Sequence, residues 1–193
     1  MLLDSYALAK AGLGSIESVV EVLKACKDET DSTVWGAIGG VLGGLQLLME
    51  QTNPVTYAAF KAFGKQLVLA ALGRVGWEPT AQDTHTSNMT RTSVMALLDA
   101  FCSDDATVVA EARRRFDGHF EDASMLPSEY KMAVYRIVLA NGGKAEYDRV
   151  MRTYTDTEDS QEKKYAMNTL GSTADVSLKM ATLDWAVKSG EIK

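Results

Sequence analysis

The sequence predicts an all-α protein, and three observations predict it. Apolar residues recur three and four positions apart along the whole chain, the spacing that lines one face of a helix. No segment alternates apolar and polar residues in the way a half-buried strand does. The prolines, Pro54, Pro79 and Pro127, sit at the edges of the periodic segments and never inside them.

The first helix is expected from Leu3 to Ala11, with Leu3, Ala7, Leu8 and Ala11 on one face and Gly12 as the stop. Ser15 caps the second, whose face is Ile16, Val19, Val20, Leu23 and Cys26; Lys24 and Lys27 near its end suit the helix dipole. Asp31 or Ser32 opens a third with Trp35, Ile38, Leu42, Leu45, Leu48 and Met49. Asn53-Pro54, a cap residue followed by a first-turn proline, opens a fourth with Val55, Phe60, Phe63, Leu67, Val68 and Leu72. Gly76-Trp77-Glu78-Pro79 ends it, and residues 76–87 form a polar loop. A fifth helix is expected from Ser87 to Cys102. Asp104 opens a sixth with Val108, Val109, Ala112, Phe116 and Phe120. Pro127 opens a seventh with Met132, Val134, Tyr135, Val138 and Leu139, stopped at Asn141-Gly142-Gly143. The eighth carries Tyr147, Val150, Met151 and Tyr154. Ser160 caps the ninth, with Tyr165 and Leu170, and Asp175 the tenth, with Val176, Leu178, Leu183 and Val187 and a stop at Gly190.

About ten short antiparallel helices with short connections suggest an α-solenoid of the HEAT or armadillo kind. Residues 1–193 are then a single helical-repeat segment. A hydrophobic share of 46% is enough to bury a core without staples. The net charge of −6 disfavours nucleic acid as a partner, because phosphate binding needs a basic face. No apolar run reaches the roughly 20 residues of a membrane span. Cys26 and Cys102, far apart and in apolar helical surroundings, read as buried thiols, which fits a reducing, cytoplasmic setting.

Chemistry finds little footing. Gly36, Gly39, Gly40, Gly43 and Gly44 lack the lysine and hydroxyl of a phosphate loop, since Leu45 and Gln46 follow. They read instead as a helix approached closely by a neighbour, offsetting about 1 kcal/mol per glycine. Arg113-Arg114-Arg115 reads as a solvated face paired with its own helix, Glu111 to Arg115 and Arg113 to Asp117, with arginine stacking on Phe116 or Phe120. His85 and His119 stand alone, with no His-Glu-x-x-His, so no metal ligands are assigned. Gly12-Leu13-Gly14-Ser15 only superficially resembles a nucleophile elbow, and Ser15 is better used as a cap. Asp104-Asp105 and Glu158-Asp159 serve helix starts. No catalytic, cofactor-binding or metal-binding residue is assigned.

Several segments in order resemble the C-terminal helical domain of zinc aminopeptidases of the puromycin-sensitive aminopeptidase and aminopeptidase N family. Leu2 to Gly12 resembles the family's Leu-Asn/Asp-Asp-x-Phe-x-Leu-Ala-Arg-Ala-Gly helix. Lys27 to Asp31 with Val34-Trp35 resembles its Asn-Glu-x-x-Tyr-x-x-Trp stretch. Leu72 to Pro79 is similar to its Leu-Gly-Trp-Asp corner, with extra residues. Glu111 to Phe116 resembles its Glu-Ala-Arg-x-x-Phe, and Leu170 to Thr173 its Leu-Gly/Ser-x-Thr turn.

The resemblance implies a superhelix that caps the catalytic domain of a larger protein, continuing on both sides of this chain. It implies peptide substrates, zinc in that catalytic domain and none here, and that domain and the peptide as partners. Some relatives in the endoplasmic reticulum hold a peptide's C-terminus with a basic residue near the Leu-x-x-Thr turn; Ser172 stands there in this chain, so that role is not carried over. Uncovered apolar stripes are expected at both ends. The alternative reading is a stand-alone helical scaffold that binds a peptide or protein in its concave groove; an unrecognised small-molecule enzyme is the third.

Overall fold

The structure is a computed structural model, and it describes residues 1–188. Among the described residues there are eleven α-helices, three 3-10 turns and no strand, so the protein is all-α. The chain divides into two compact units, Met1–Leu97 and Leu98–Lys193.

The first unit holds α1 (Leu2–Lys10), α2 (Ile16–Ala25), α3 (Ser32–Met49), α4 (Pro54–Val75) and α5 (His85–Met95). Ser15 caps α2 by accepting from the Ser18 N–H at 3.2 Å. Asp31, the first of the two expected candidates, caps α3 through the N–H groups of Thr33 and Val34 at 2.8 and 3.2 Å. Asn53 caps α4 with Pro54 in its first turn, as its sequence signal requires. α3 packs on α5 and α4, burying Trp35, Ile38, Val41, Leu42 and Leu45 against Phe60, Leu67, Val68, Val94 and Met95. Each such side chain contributes about 1.5–3 kcal/mol by leaving water. α3 is also long and apolar enough, by length and composition, to cross a membrane. Its buried stripe shows it serving as a core helix here.

Several expectations need correction in this unit. α1 buries Leu2, while Leu3 and Leu8 are exposed, so the predicted face points outward. The polar loop is 76–84, because Thr84 caps α5 through the Ser87 N–H and the Ser87 hydroxyl accepts from the Thr84 N–H. His85 and Ser87 therefore lie on the helix. The expected helix Ser87–Cys102 breaks after Met95, where the Leu97 N–H turns back to the Val94 carbonyl at 3.0 Å. No glycine or proline marks that break, and the apolar spacing continues through it. Of the glycines expected to touch a neighbour, Gly39 meets Leu97 and Gly44 meets Tyr6, but a side chain added at Gly40 or Gly43 would meet nothing within 4 Å.

The second unit holds α6 (Leu98–Phe101), α7 (Ala106–His119), α8 (Ser128–Asn141), α9 (Lys144–Asp156), α10 (Ser160–Met167) and α11 (Val176–Lys188). α8 is its centre: Tyr130, Ala133, Val134, Tyr135, Ile137, Val138 and Leu139 are all buried, and α6, α7, α9 and α10 pack around it. Asp105 caps α7 and Asp159 caps α10, where Asp104 and Ser160 were expected. In each case the aspartate carboxylate is placed to accept two first-turn N–H groups. Asp175 caps α11 as expected.

α11 packs through half-buried Leu178, Thr182 and Trp185, so of the expected face only Leu178 turns inward. The Tyr147 and Thr182 hydroxyls are bonded at 2.9 Å, and Trp185 packs edge-on to Tyr154. Val176, Leu183 and Val187 are exposed. The expected stop at Gly190 lies outside the described residues. Cys102 is fully buried, whereas Cys26, in the 3-10 turn after α2, is only half-buried.

Candidate functional site

The polar chemistry of the first unit gathers where the Glu29–Asp31 turn meets the end of α4. Gly76 ends α4 with φ +63, a conformation that suits glycine, and the last carbonyls of the helix are left without helical partners. Arg91, only 1% exposed, satisfies that of Val75. Its Nε and Nη2 donate to the Val75 carbonyl at 2.9 and 2.8 Å, and Nε also reaches Gly76 at 3.3 Å. Nη1 donates to Asn88 Oδ1 at 2.6 Å, and Nη2 forms an ion pair with Asp83. The Thr80 backbone N–H first, and Arg91 after it, hold the Asp83 carboxyl below the usual carboxylate range. On the other side, the Glu29 carbonyl accepts from Trp35 Nε1 at 3.0 Å and Arg74 Nη2 at 3.3 Å. The Thr90 hydroxyl donates to the Thr30 carbonyl at 2.9 Å. A cavity of about 170 Å³ lies between these groups. Guanidinium, indole and hydroxyl each donate here to a backbone carbonyl, and Arg91 also holds the Asn88 and Asp83 side chains.

The arginine run of α7 does the same in the second unit. Glu111 accepts from Arg114 at 2.8 and 2.7 Å and from Arg115 Nε at 2.8 Å. Its carboxyl is held below the usual range, chiefly by the Arg114 hydrogen bonds. Arg115 is buried and donates to the Met125 carbonyl. Arg113 donates to the Asn141 carbonyl and to Glu146, tying down the turn between α8 and α9. The expected solvated face is thus a correction: Arg115 is inside, and Arg113 pairs with Glu146 rather than Asp117. Asp117 instead pairs with Arg149 at 2.5 Å. Arg149, and no member of the run, lies over the Phe116 and Phe120 rings, 4.9 and 4.3 Å from their centroids.

Deeper in this unit, Lys131 of α8 forms an ion pair with Glu162 of α10. His119 Nδ1 and the Tyr135 hydroxyl are buried without hydrogen-bond partners. Burial first, then the Lys131 charge, pushes the His119 pKa below its ordinary value. Burial raises the Tyr135 hydroxyl to about 12, so it stays protonated. Beside them opens a groove of about 470 Å³ lined by Phe120, Arg149, Arg152, Thr153, Asp156 and Thr157.

His85 is exposed at the start of α5 in the first unit, and His119 ends α7 in the second. Among the described residues, no group of three or more His, Cys, Asp or Glu is placed to hold a metal ion. Ser15 is engaged as a cap, and Ser172 lies in the 3-10 turn Leu170–Ser172 between buried Leu170 and Thr173.

Sequence reasoning missed Arg91 and Lys131. A signal was available for both. Arg91 stands three and four positions before buried Val94 and Met95, and Lys131 stands likewise before Val134 and Tyr135. A charge on an apolar stripe implies a buried partner.

A model of the ERAP1-like C-terminal domain matches residues 1–193. The chain belongs to that family. Aminopeptidase M1 of Arabidopsis thaliana is 29% identical over 195 residues, covering 98% of this chain and 22% of the relative. Aminopeptidase M1-B of Oryza sativa subsp. japonica is 26% identical, covering 94% of this chain and 21% of the relative. Glutamyl aminopeptidase of Mus musculus is 23% identical, covering 91% and 18%. The chain thus spans about a fifth of the length of the curated relatives it matches. In this chain Trp35, Arg113 and Arg115 donate to the backbone carbonyls of Glu29, Asn141 and Met125.

Proposed function

We propose that this chain is the non-catalytic helical C-terminal part of a zinc-dependent aminopeptidase, and that it encloses the active-site cavity and shapes access for peptide substrates. The family match over residues 1–193 carries the reading. The use of Arg91, Arg113 and Arg115 supports it, because groups committed to holding turns are not available to move a proton. The chain's share in the parent reaction is then a wall of rigid helix pairs, arranged as a solenoid, against which a peptide lies. Zinc belongs to the parent's catalytic domain, where it would activate the attacking water. A cytoplasmic setting fits the thiols.

The test has two parts. The coding sequence upstream is read for His-Glu-x-x-His, which this reading requires. The purified chain is then assayed on aminoacyl-arylamides with and without added zinc. No turnover is expected, and chelator-sensitive turnover by this chain alone would end the proposal.

A further inference from the structure

We infer that the groove between the last turns of α7 and α9 is a binding site for an oxyanion carried by an acidic peptide. The groove is large enough for a side chain and part of a backbone, at about 470 Å³. The groups that face it are mostly donors. Arg149 is held in one orientation by Asp117 on one side and by the Phe116 and Phe120 rings beneath it. A guanidinium fixed in this way loses little freedom when it binds a further oxyanion.

Arg152, exposed on the next turn of α9, makes one bond, from Nε to the Asp148 carbonyl of its own helix at 3.3 Å. Its terminal nitrogens can turn to the groove. The Thr157 hydroxyl accepts from the Asp159 N–H and keeps its own hydrogen to give. The one carboxylate on the wall, Asp156, takes the Thr155 hydroxyl on Oδ1 at 2.7 Å and leaves a single negative charge against the two arginines that line the groove. Exposed Phe120 offers the apolar edge that a peptide's neighbouring side chain would cover. A carboxylate or phosphate oxygen would accept from the terminal nitrogens of Arg152 and from the Thr157 hydroxyl, and would add a second anion to Arg149 beside Asp117.

A plainer role for the two arginines is to balance the negative C-terminal end of α9. That role predicts no ligand. The occupant's being a peptide rests on the peptidase reading; the preference for an oxyanion rests on the groove alone. Amide resonances of the whole chain are therefore followed on adding inorganic phosphate, a glutamate-rich peptide, or the same peptide with glutamine for glutamate. The expected result is saturable shifts at Arg149, Arg152 and Thr157 with phosphate and with the glutamate peptide, reduced by salt, and none with the glutamine peptide. Arg152→Gln, an exposed change that leaves the fold intact, should weaken both about fivefold. Thr157→Val should weaken them in the same direction.

Silence at these residues at millimolar phosphate and glutamate peptide overturns the site. Equal binding of the glutamine peptide, or indifference to Arg152→Gln, overturns it too. Binding of phosphate without the glutamate peptide removes the peptide occupant and with it the inference, while leaving the peptidase reading to its own assay.

Discussion

Arg91→Ala tests the idea that buried guanidinium groups hold this fold's corners. The substitution strips the Val75 and Gly76 carbonyls of a donor and removes the Asp83 ion pair. A buried polar group left unsatisfied costs about 1–3 kcal/mol, and removing one partner of a buried pair about 3–5 kcal/mol. Asp83 keeps the Thr80 N–H and hydroxyl at 3.0 and 3.1 Å, so its stranded charge is not bare. The low end applies, about 3 kcal/mol in all. In a unit the size of residues 1–97, that lowers Tm by roughly 12 °C or more. Thermal unfolding followed by far-ultraviolet circular dichroism and by tryptophan emission measures it, since Trp35 and Trp77 report on this unit. Arg91→Lys, which keeps the charge but loses the fork, should fall between wild type and alanine. Arg152→Ala is the control and should move Tm by no more than about 2 °C. Were Arg91→Ala to melt with that control, the corner would be held by packing alone and the reasoning would fail.

Gly40→Ala, on an exposed part of α3 with room for the methyl group, should stabilise by about 0.5–1 kcal/mol in urea titration. Gly142→Ala should instead destabilise by about 1–3 kcal/mol, because the added carbon would stand 2.7 Å from the Val138 carbonyl oxygen. Because His119 has a folded pKa below its unfolded value, its contribution is complete above about pH 6.5 and is lost as pH falls through the folded value. Stability measured by urea between pH 7 and 5 should therefore fall, and His119→Gln should flatten that window. Asp31, Asp83, Asp122 and Asp175, all lowered by hydrogen bonds, act in a separate window below about pH 4, which His119→Gln should leave unchanged. Lys131→Ala, which strands Glu162 beside the Tyr135 interior, should cost about 3 kcal/mol. Lys131→Met with Glu162→Leu should recover most of it, and no recovery would show that the pair does more than cancel its own charges.

The sequence alone determined the helical class and most helix starts, because those are local matters. Asn53-Pro54, Asp31, Ser15 and Asp175 each satisfy first-turn N–H groups within three residues of themselves, whatever the rest of the chain does. Spacing also found Trp35, Ile38, Leu42 and Leu45, since a three-and-four repeat names one face of a helix. It could not say whether that face is covered. α1 and α11 have apolar faces as readable as any other, yet Leu3, Leu8, Val176, Leu183 and Val187 are exposed because no described element packs on them. Nor could local pattern reveal the break after Met95, the roominess at Gly40, or which carboxylate each arginine would choose. Arg91 reaches a carbonyl 16 residues back, and Arg113 a carbonyl 28 residues ahead. Those partners meet only after the helices have packed, so the tertiary structure decides which charges are buried and what they hold.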